Sequence, residues 1–172
     1  MDYFNQESER LTYRRLEESD RGSWAEFFNN NPNIPYLGIP DDMPLEAMLD
    51  KWFGMQFERY NENGFGMLAA ISKVTGELIG QTGILKKEIN GQTEYEIAYS
   101  LKPKFWRQGY ASEMSQTMKR FFIEHKINTR VISIIHKDNI GSVKVAQRNG
   151  MAHLFDVEYS GMDCFVYGVE VL

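Results

Sequence analysis

The chain has 172 residues, of which 42% are hydrophobic and 25% are charged, and these fractions are typical of a globular rather than a disordered protein. The formal net charge is -5, which argues against a nucleic-acid partner, because such proteins present a face rich in lysine and arginine. Cys164 is the only cysteine, which excludes an internal disulfide and a four-cysteine zinc site.

The first ten residues and the lack of a long apolar stretch predict a cytoplasmic protein with no membrane partner. The segment MDYFNQESER is polar and acidic, unlike a signal peptide, and no stretch approaches the roughly 20 apolar residues of a spanning helix. His125, His136 and His153 stand singly, without metal-ligand spacing, so we expect no metal. We expect a single domain over residues 1–172 that is a monomer or a homodimer.

Hydrophobic spacing divides the first half of the chain into one strand, two helices and three strands. RLTYRRL alternates in part and predicts a strand, after which Ser19 or Asp20 can cap a short helix through RGSWAEFF. LEAMLDKWFGMQFERY has apolar residues at helical spacing. The three predicted strands are GMLAAIS, ELIGQTGILKK and TEYEIAYSL.

The second half predicts a helix, a strand, a helix and a final hairpin. The first helix runs from about Tyr110 to His125 and is followed by the mostly apolar strand TRVISIIH. The next helix begins at Asp138 or Asn139, and Gly150 is placed as its C-terminal cap. AHLFDVEY and DCFVYGVEV form the hairpin. The order predicts an α/β (α+β) fold with one mixed, mostly antiparallel sheet of about seven strands flanked by four helices.

The sequence WRQGYAS lies where the third helix begins, and this position suits an anion. A helix start offers unpaired N–H groups and a partial positive charge. Gly109 and Ala111 lack bulk that would hold an anion away from the backbone, Ser112 adds a hydroxyl, and Arg107 adds a charge. These features predict a pyrophosphate cradle, and the alternative is a glycine that only forms a tight turn. The predicted cradle comprises Arg107, Gln108, Gly109, Tyr110, Ala111 and Ser112.

The segment EIAYSLKPKFWRQGYASE resembles the cofactor motif of the GNAT superfamily of N-acetyltransferases. That motif has Gln or Arg, two residues, Gly, one residue, then Gly or Ala. Gly109 and Ala111 match its last positions. Trp106 takes the first position, as is usual in the RimJ/RimL-like branch that acetylates N-terminal amino groups of ribosomal proteins. Arg107 departs from that branch, which commonly has glycine there.

A second superfamily motif is similar to NIGSVKVAQRNGM. The motif has Asn, two residues, Ala or Ser, and then a helix that ends in Gly before Phe or Met. Asn139, Ser142, Gly150 and Met151 match it. The order of predicted elements is also that of the family, so the resemblance extends over nearly the whole chain.

The resemblance implies an enzyme that transfers an acetyl group from acetyl-coenzyme A to a primary amine, by direct attack on the thioester and without a metal. The acceptor would be a small-molecule or peptide amine. The cradle and Asn139 would bind the cofactor. The main chain of Tyr99, Ser100 and Leu101 would lie along the pantetheine arm.

The resemblance also implies catalytic roles for two residues. Many family members carry a tyrosine proton donor where this chain has Ala146, so we expect Ser142 to replace it, as in the ribosomal-protein branch. The alternative is that Ser142 only serves the first turn of its helix. Glu96 is the expected base, with water as the alternative. The missing tyrosine leaves open a second function, a non-catalytic module that binds or senses acyl-coenzyme A.

The acceptor side of the site yields fewer predictions. Asp41, Asp42 and Glu46 follow a proline-rich loop, and they either form a solvated helix start or steer a cationic acceptor. The net charge of -5 suits such an acceptor.

Overall fold

One sheet dominates the computed structural model, which describes residues 2–171. Its strands are β1 (Asn5–Glu7), β2 (Leu11–Arg15), β3 (Gly66–Ser72), β4 (Leu78–Ile89), β5 (Gln92–Leu101), β6 (Arg130–His136), β7 (Ala152–Tyr159) and β8 (Met162–Glu170). They are ordered β1-β2-β3-β4-β5-β6-β8-β7. Neighbouring strands are antiparallel except β5 and β6, so the sheet is mixed as predicted.

Four helices accompany the sheet in the described residues, as the sequence predicts. They are α1 (Arg21–Phe28), α2 (Leu45–Asn63), α3 (Tyr110–Glu124) and α4 (Ile140–Arg148). Helix α3 contributes to one buried hydrophobic cluster, in which strand residues pack against Met114, Met118 and Phe122. Helices α1 and α2 contribute Trp24 and Trp52 to a second hydrophobic cluster. Trp24 is therefore core, while Trp52 packs in the core and also lines the cavity described below.

The sheet has one strand more than the seven predicted. The additional strand, β1, is only three residues long and pairs Asn5 with Arg14 and Glu7 with Thr12 of β2. Its sequence is polar and too short for a hydrophobic alternation, and the pairing partner lies in a separate segment. Local sequence therefore carries no signal for β1.

The predicted helix caps are correct for α4 and partly correct for α1. The Asn139 side chain accepts the Ser142 N–H at 3.2 Å. Gly150 has φ 79°, and the N–H of Met151 reaches the Ala146 carbonyl at 3.0 Å, a glycine-terminated helix end. Asp20 holds the capping position of α1, but its carboxylate binds the Arg14 guanidinium at 2.7 Å and makes no side-chain cap.

The sheet opens between β5 and β6, and this opening positions the site. The described residues of the two strands form a single register pair, Glu96 with Ile132, whereas β4 and β5 are paired over ten positions. Just past the pair, the Ser133 hydroxyl of β6 donates to the Ile97 carbonyl of β5 at 2.9 Å. The strands diverge beyond it, so the end of β5 has a partner strand on one side only.

Buried charge anchors the end of β5. Lys102, which follows the strand, is fully buried, and its ammonium donates to the Ser23 hydroxyl at 2.9 Å. The carboxylates of Glu26 and Glu77 lie 3.7 and 3.8 Å away. Burial lowers the pKa of Lys102, and these carboxylates act against that shift. The pairing holds the strand end against α1.

No helix in residues 2–171 is long and apolar enough to cross a bilayer.

Candidate active site

A cavity of about 210 Å³ lies where β5 and β6 diverge. Strands β4, β5 and β6 and the start of α4 supply one part of its wall. Helix α2, the short 3-10 turn Ile34–Leu37 and the β7–β8 hairpin supply the other. Five of the site residues predicted from the sequence line it together: Glu96, Tyr99, Ser100, Asn139 and Ser142.

The backbone of Tyr99 faces the opening between the strands. The Ile97 carbonyl points toward β6, because it accepts from Ser133, and peptide groups two residues apart in a strand point the same way. The phenol of Tyr99 crosses the opening and donates to the Ser142 carbonyl at 3.0 Å. Burial raises the pKa of Tyr99 far above its usual range, so the phenol stays neutral and fastens α4 to β5.

Leu101 does not line the cavity. It pairs with Gly80 of β4, and its carbonyl accepts the indole N–H of Trp106 at 2.8 Å. Trp106 therefore ties the end of β5 to the loop that precedes α3. This contact is a structural reason for a tryptophan at the first motif position.

The predicted cradle, residues 107–112, lies at the exposed start of α3 and outside the cavity lining. Gly109 is the N-terminal cap residue, with φ 80°, and no side chain caps the helix. The Glu113 N–H makes the first helical bond, to the Gly109 carbonyl at 3.1 Å. The N–H groups of residues 110–112 therefore precede the helical ladder. Arg107 has φ 61°, a conformation that glycine adopts more easily.

Arg10, which was not predicted as a site residue, braces the cradle. Its Nε donates to Glu113 Oε2 at 2.6 Å and its Nη1 to the Gln108 carbonyl at 2.9 Å. Its guanidinium lies 4.0 Å from the centre of the Tyr110 ring. Burial alone would raise the pKa of Glu113, but hydrogen bonds from Arg10 and Ser8 outweigh it and lower that pKa. The brace joins the β1–β2 turn to the first turn of α3.

Ser142 and Ala146 differ in their surroundings. Ser142 lines the cavity, while its backbone serves the helix cap and accepts from Tyr99. Ala146 lies one turn further along α4, is 1% exposed, packs in the core and does not line the cavity. The tyrosine position of the family motif therefore offers no hydroxyl to this cavity, whereas the serine one turn earlier does.

The two glutamates of β5 have different surroundings. Glu96 lines the cavity, and the Lys87 ammonium lies 3.6 Å from its Oε2. Glu94 does not line the cavity and is paired with the guanidinium of Arg130. Only Glu96 is placed to exchange a proton with a group in the cavity.

Sequence reasoning missed several charged and aromatic residues that line the cavity. Arg59 of α2 and Lys87 of β4 line it, as do Tyr36 and His136, whose rings stack at 4.7 Å. These residues come from four separate elements and form no motif. The sequence offered one signal for His136, which is its position three residues before Asn139 of the second motif. Asp41, Asp42 and Glu46 are exposed and lie outside the lining.

Comparison with known proteins identifies the family. Residues 10–152 match the acetyltransferase (GNAT) domain. The chain belongs to the GNAT acetyltransferase family. This acetyltransferase is 28% identical to the Bacillus subtilis protein YkkB over 148 residues, which are 84% of this chain and 83% of YkkB. As a family member it is an acyltransferase, which favours an enzyme over a non-catalytic binding module.

Solved structures agree in fold. An acetyltransferase from Agrobacterium tumefaciens is 25% identical and superimposes with a TM-score of 0.80, covering 96% of this chain and 94% of the other. RimL, a ribosomal alpha-N-protein acetyltransferase solved in complex with coenzyme A, is 20% identical with a TM-score of 0.73, covering 95% and 96%. At 20% identity, the similarity to RimL is evidence for a shared fold only.

Proposed function

We propose that this acetyltransferase uses acetyl-coenzyme A to acetylate a primary amine of a small molecule or a peptide. The observation that carries the proposal is the meeting of Glu96 and Ser142 in one cavity beside the open backbone of Tyr99. A carboxylate and a hydroxyl that line one cavity suit a reaction that removes a proton from an amine and delivers one to a leaving thiolate.

The start of α3 suits the diphosphate of the coenzyme. A Cβ built on Gly109 would meet only the Arg10 guanidinium, at 3.4 Å, so the space in front of the backbone is open. The N–H groups of Tyr110, Ala111 and Ser112 would bind the anion, with Arg107 and Gln108 beside them. The main chain of β5 at Tyr99 and Ser100, up to its tied end at Leu101, would guide the pantetheine arm toward Asn139.

The residues of the cavity would divide the chemistry as follows. When bound, acetyl-coenzyme A supplies a thioester whose carbonyl carbon gains a C–N bond as its C–S bond breaks and sulfur keeps the electron pair. Glu96 accepts the proton that the amine must lose, directly or through water. The Ser142 hydroxyl would hydrogen-bond the departing thiolate, pass its proton to the sulfur and take up another from solvent water.

The compartment follows from the same proposal. Cys164 is a free, buried thiol, and burial raises its pKa. A chain with one unpaired thiol suits the reducing cytoplasm, where we propose that the enzyme works.

The proposal is tested by incubating the protein with acetyl-coenzyme A and a library of amines, including peptides, while free thiol is recorded. We expect thiol release that depends on an amine and yields an acetylated product of the expected mass. Saturable binding of coenzyme A without turnover on any amine would contradict the proposal and favour an acyl-coenzyme A binding module.

A further inference from the structure

The charge of the cavity is opposite to that of the chain. The formal net charge of the protein is -5, yet the cavity is lined by two cations, Arg59 and Lys87, and by one carboxylate, Glu96. Lys87 and Glu96 lie 3.6 Å apart, and both side chains are largely buried. Their charges largely offset each other, so one positive charge remains at Arg59.

Arg59 has no anionic partner of its own among the described residues. Its Nη1 donates to the amide oxygen of Gln56 at 3.2 Å, a neutral acceptor. Burial lowers the pKa of Arg59, and the carboxylates of Glu96 and Glu58, which form no salt bridge with it, offset this only in part. A half-buried guanidinium that lines a cavity and has no carboxylate within salt-bridge distance is stabilised when an anion enters.

The guanidinium is held in place before any ligand arrives. Gln56 is 1% exposed, and its oxygen also accepts the Met67 N–H of β3 at 3.1 Å. Because Gln56 is fixed by the sheet, it fixes the Arg59 head as well. A pre-positioned guanidinium can bind a carboxylate through two parallel hydrogen bonds.

Lys87 adds a second donor on the opposite wall. Its ammonium donates to the Tyr159 hydroxyl at 2.8 Å, which links β4 to the β7–β8 hairpin. The hairpin, β4 and α2 therefore contribute a phenol, an ammonium and a guanidinium to the cavity that Glu96 also lines.

We propose that the acceptor is an amine that also carries a carboxylate, and that Arg59 binds this carboxylate while Glu96 faces the amine. This inference rests on the proposed function and names its substrate class. A polyamine suits the cavity poorly, since it would place several cations against Arg59 and Lys87. A cavity of about 210 Å³ accommodates a group about the size of an amino acid, either free or as the first residue of an acidic peptide.

The kinetic test compares amines in matched pairs that differ only in one carboxylate. Suitable pairs are glycine with glycinamide, β-alanine with β-alaninamide, and dipeptide amides that begin with aspartate or with asparagine. We expect kcat/KM to favour the carboxylate in at least one pair, and Arg59→Gln to lower the ratio of acid to amide by about tenfold or more relative to the wild type. The wild type and Arg59→Gln are measured with the same pair of amines. The difference in basicity between the two amines therefore cancels when the two kcat/KM ratios are compared.

Two further variants separate charge from position. Arg59→Lys keeps the positive charge but cannot make the two parallel hydrogen bonds of a guanidinium. We expect this variant to retain part of the preference for the carboxylate. Lys51→Gln removes a cation from the exposed face of α2 and should leave the preference intact. An equal loss in Lys51→Gln would show a general field effect and would overturn the assignment to Arg59. Melting temperatures of all three variants report whether they fold.

A binding measurement keeps the inference testable without turnover. Protein saturated with coenzyme A is titrated calorimetrically with N-acetyl-β-alanine and its amide. Selective binding of the acid that is lost in Arg59→Gln supports the inference, even if the thiol assay shows no catalysis and the proposed function fails. Thiol release with equal rates for every pair leaves the function standing and overturns the inference. A preference for phosphoethanolamine over all carboxylates, dependent on Arg59, would also overturn it.

Discussion

The two halves of the active site are built in different ways. The proposed cofactor half lies in two short segments, residues 99–112 and 139–142, and consists largely of backbone groups at a strand end and a helix start. The proposed acceptor half consists of side chains from α2, β4, β6, a 3-10 turn and the final hairpin. A site made of main chain leaves a compact motif in the sequence. A site made of distant side chains leaves none.

Replacing Glu96 should have the largest effect, because Glu96 is the point where the two halves meet. We expect Glu96→Gln to lower kcat by about 100-fold if the carboxylate is the general base. The matched control is Glu94→Gln on the same strand, whose loss of the Arg130 pair should lower the melting temperature but change kcat less than about threefold. Similar rates in Glu96→Gln and the wild type would show that water, and not Glu96, accepts the proton of the amine.

Gly109→Val tests the cofactor half alone. A β-branched residue at φ 80° is strained, and its side chain would stand where an anion must approach the backbone, so KM for acetyl-coenzyme A should rise about tenfold or more. Gly91→Val is the control, because Gly91 has φ 75° in a turn and a Cβ there meets nothing within 4 Å. If both variants lose stability and neither changes KM, the cradle is misplaced.

Ser142→Ala should have a smaller effect, confined to turnover. We expect kcat to fall about fivefold, since a hydroxyl that only relays a proton is partly replaced by water. The helix cap uses the N–H of Ser142 and the oxygen of Asn139, so the melting temperature should stay the same. A fall in melting temperature with an unchanged rate would return Ser142 to a purely structural role.

The smallest expected effect concerns the brace between Arg10 and Glu113. The pKa of Glu113 is lowered in the folded protein, so its contribution to stability is present above the unfolded value of 4.5 and is lost as pH falls through the folded pKa. We expect Glu113→Gln to cost about 1 kcal/mol in urea unfolding at pH 7 and less at pH 3.5. A cost that does not change with pH would show that charge is unimportant in the brace.

Sequence reasoning succeeded where the deciding interactions are local. The strand predicted over GMLAAIS has the bounds of β3, and α3 ends one residue before the predicted His125. The caps Asn139 and Gly150 were predicted because each makes hydrogen bonds within its own helix. The strand β1 was missed because it depends on pairing with β2 rather than on its own composition.

The charge of the chain proved a poor guide to the charge of the site. The net charge of -5 and the acids at 41, 42 and 46 suggested a cationic acceptor. These acids are exposed and outside the cavity, while Arg59 and Lys87 are inside it. Net charge sums over the whole surface, whereas a ligand responds to the few groups that are buried around it.

The sequence by itself determined the family, the order of the elements from β2 onward and the glycine-marked helix start, since each depends on residues that are neighbours along the chain. Only the tertiary structure decided which side chains line the proposed acceptor half of the cavity. Residues 59, 87, 96 and 136 approach one another when α2 packs over the sheet and β5 parts from β6. Their meeting depends on packing and on strand pairing between segments far apart in the chain, and no local pattern encodes it.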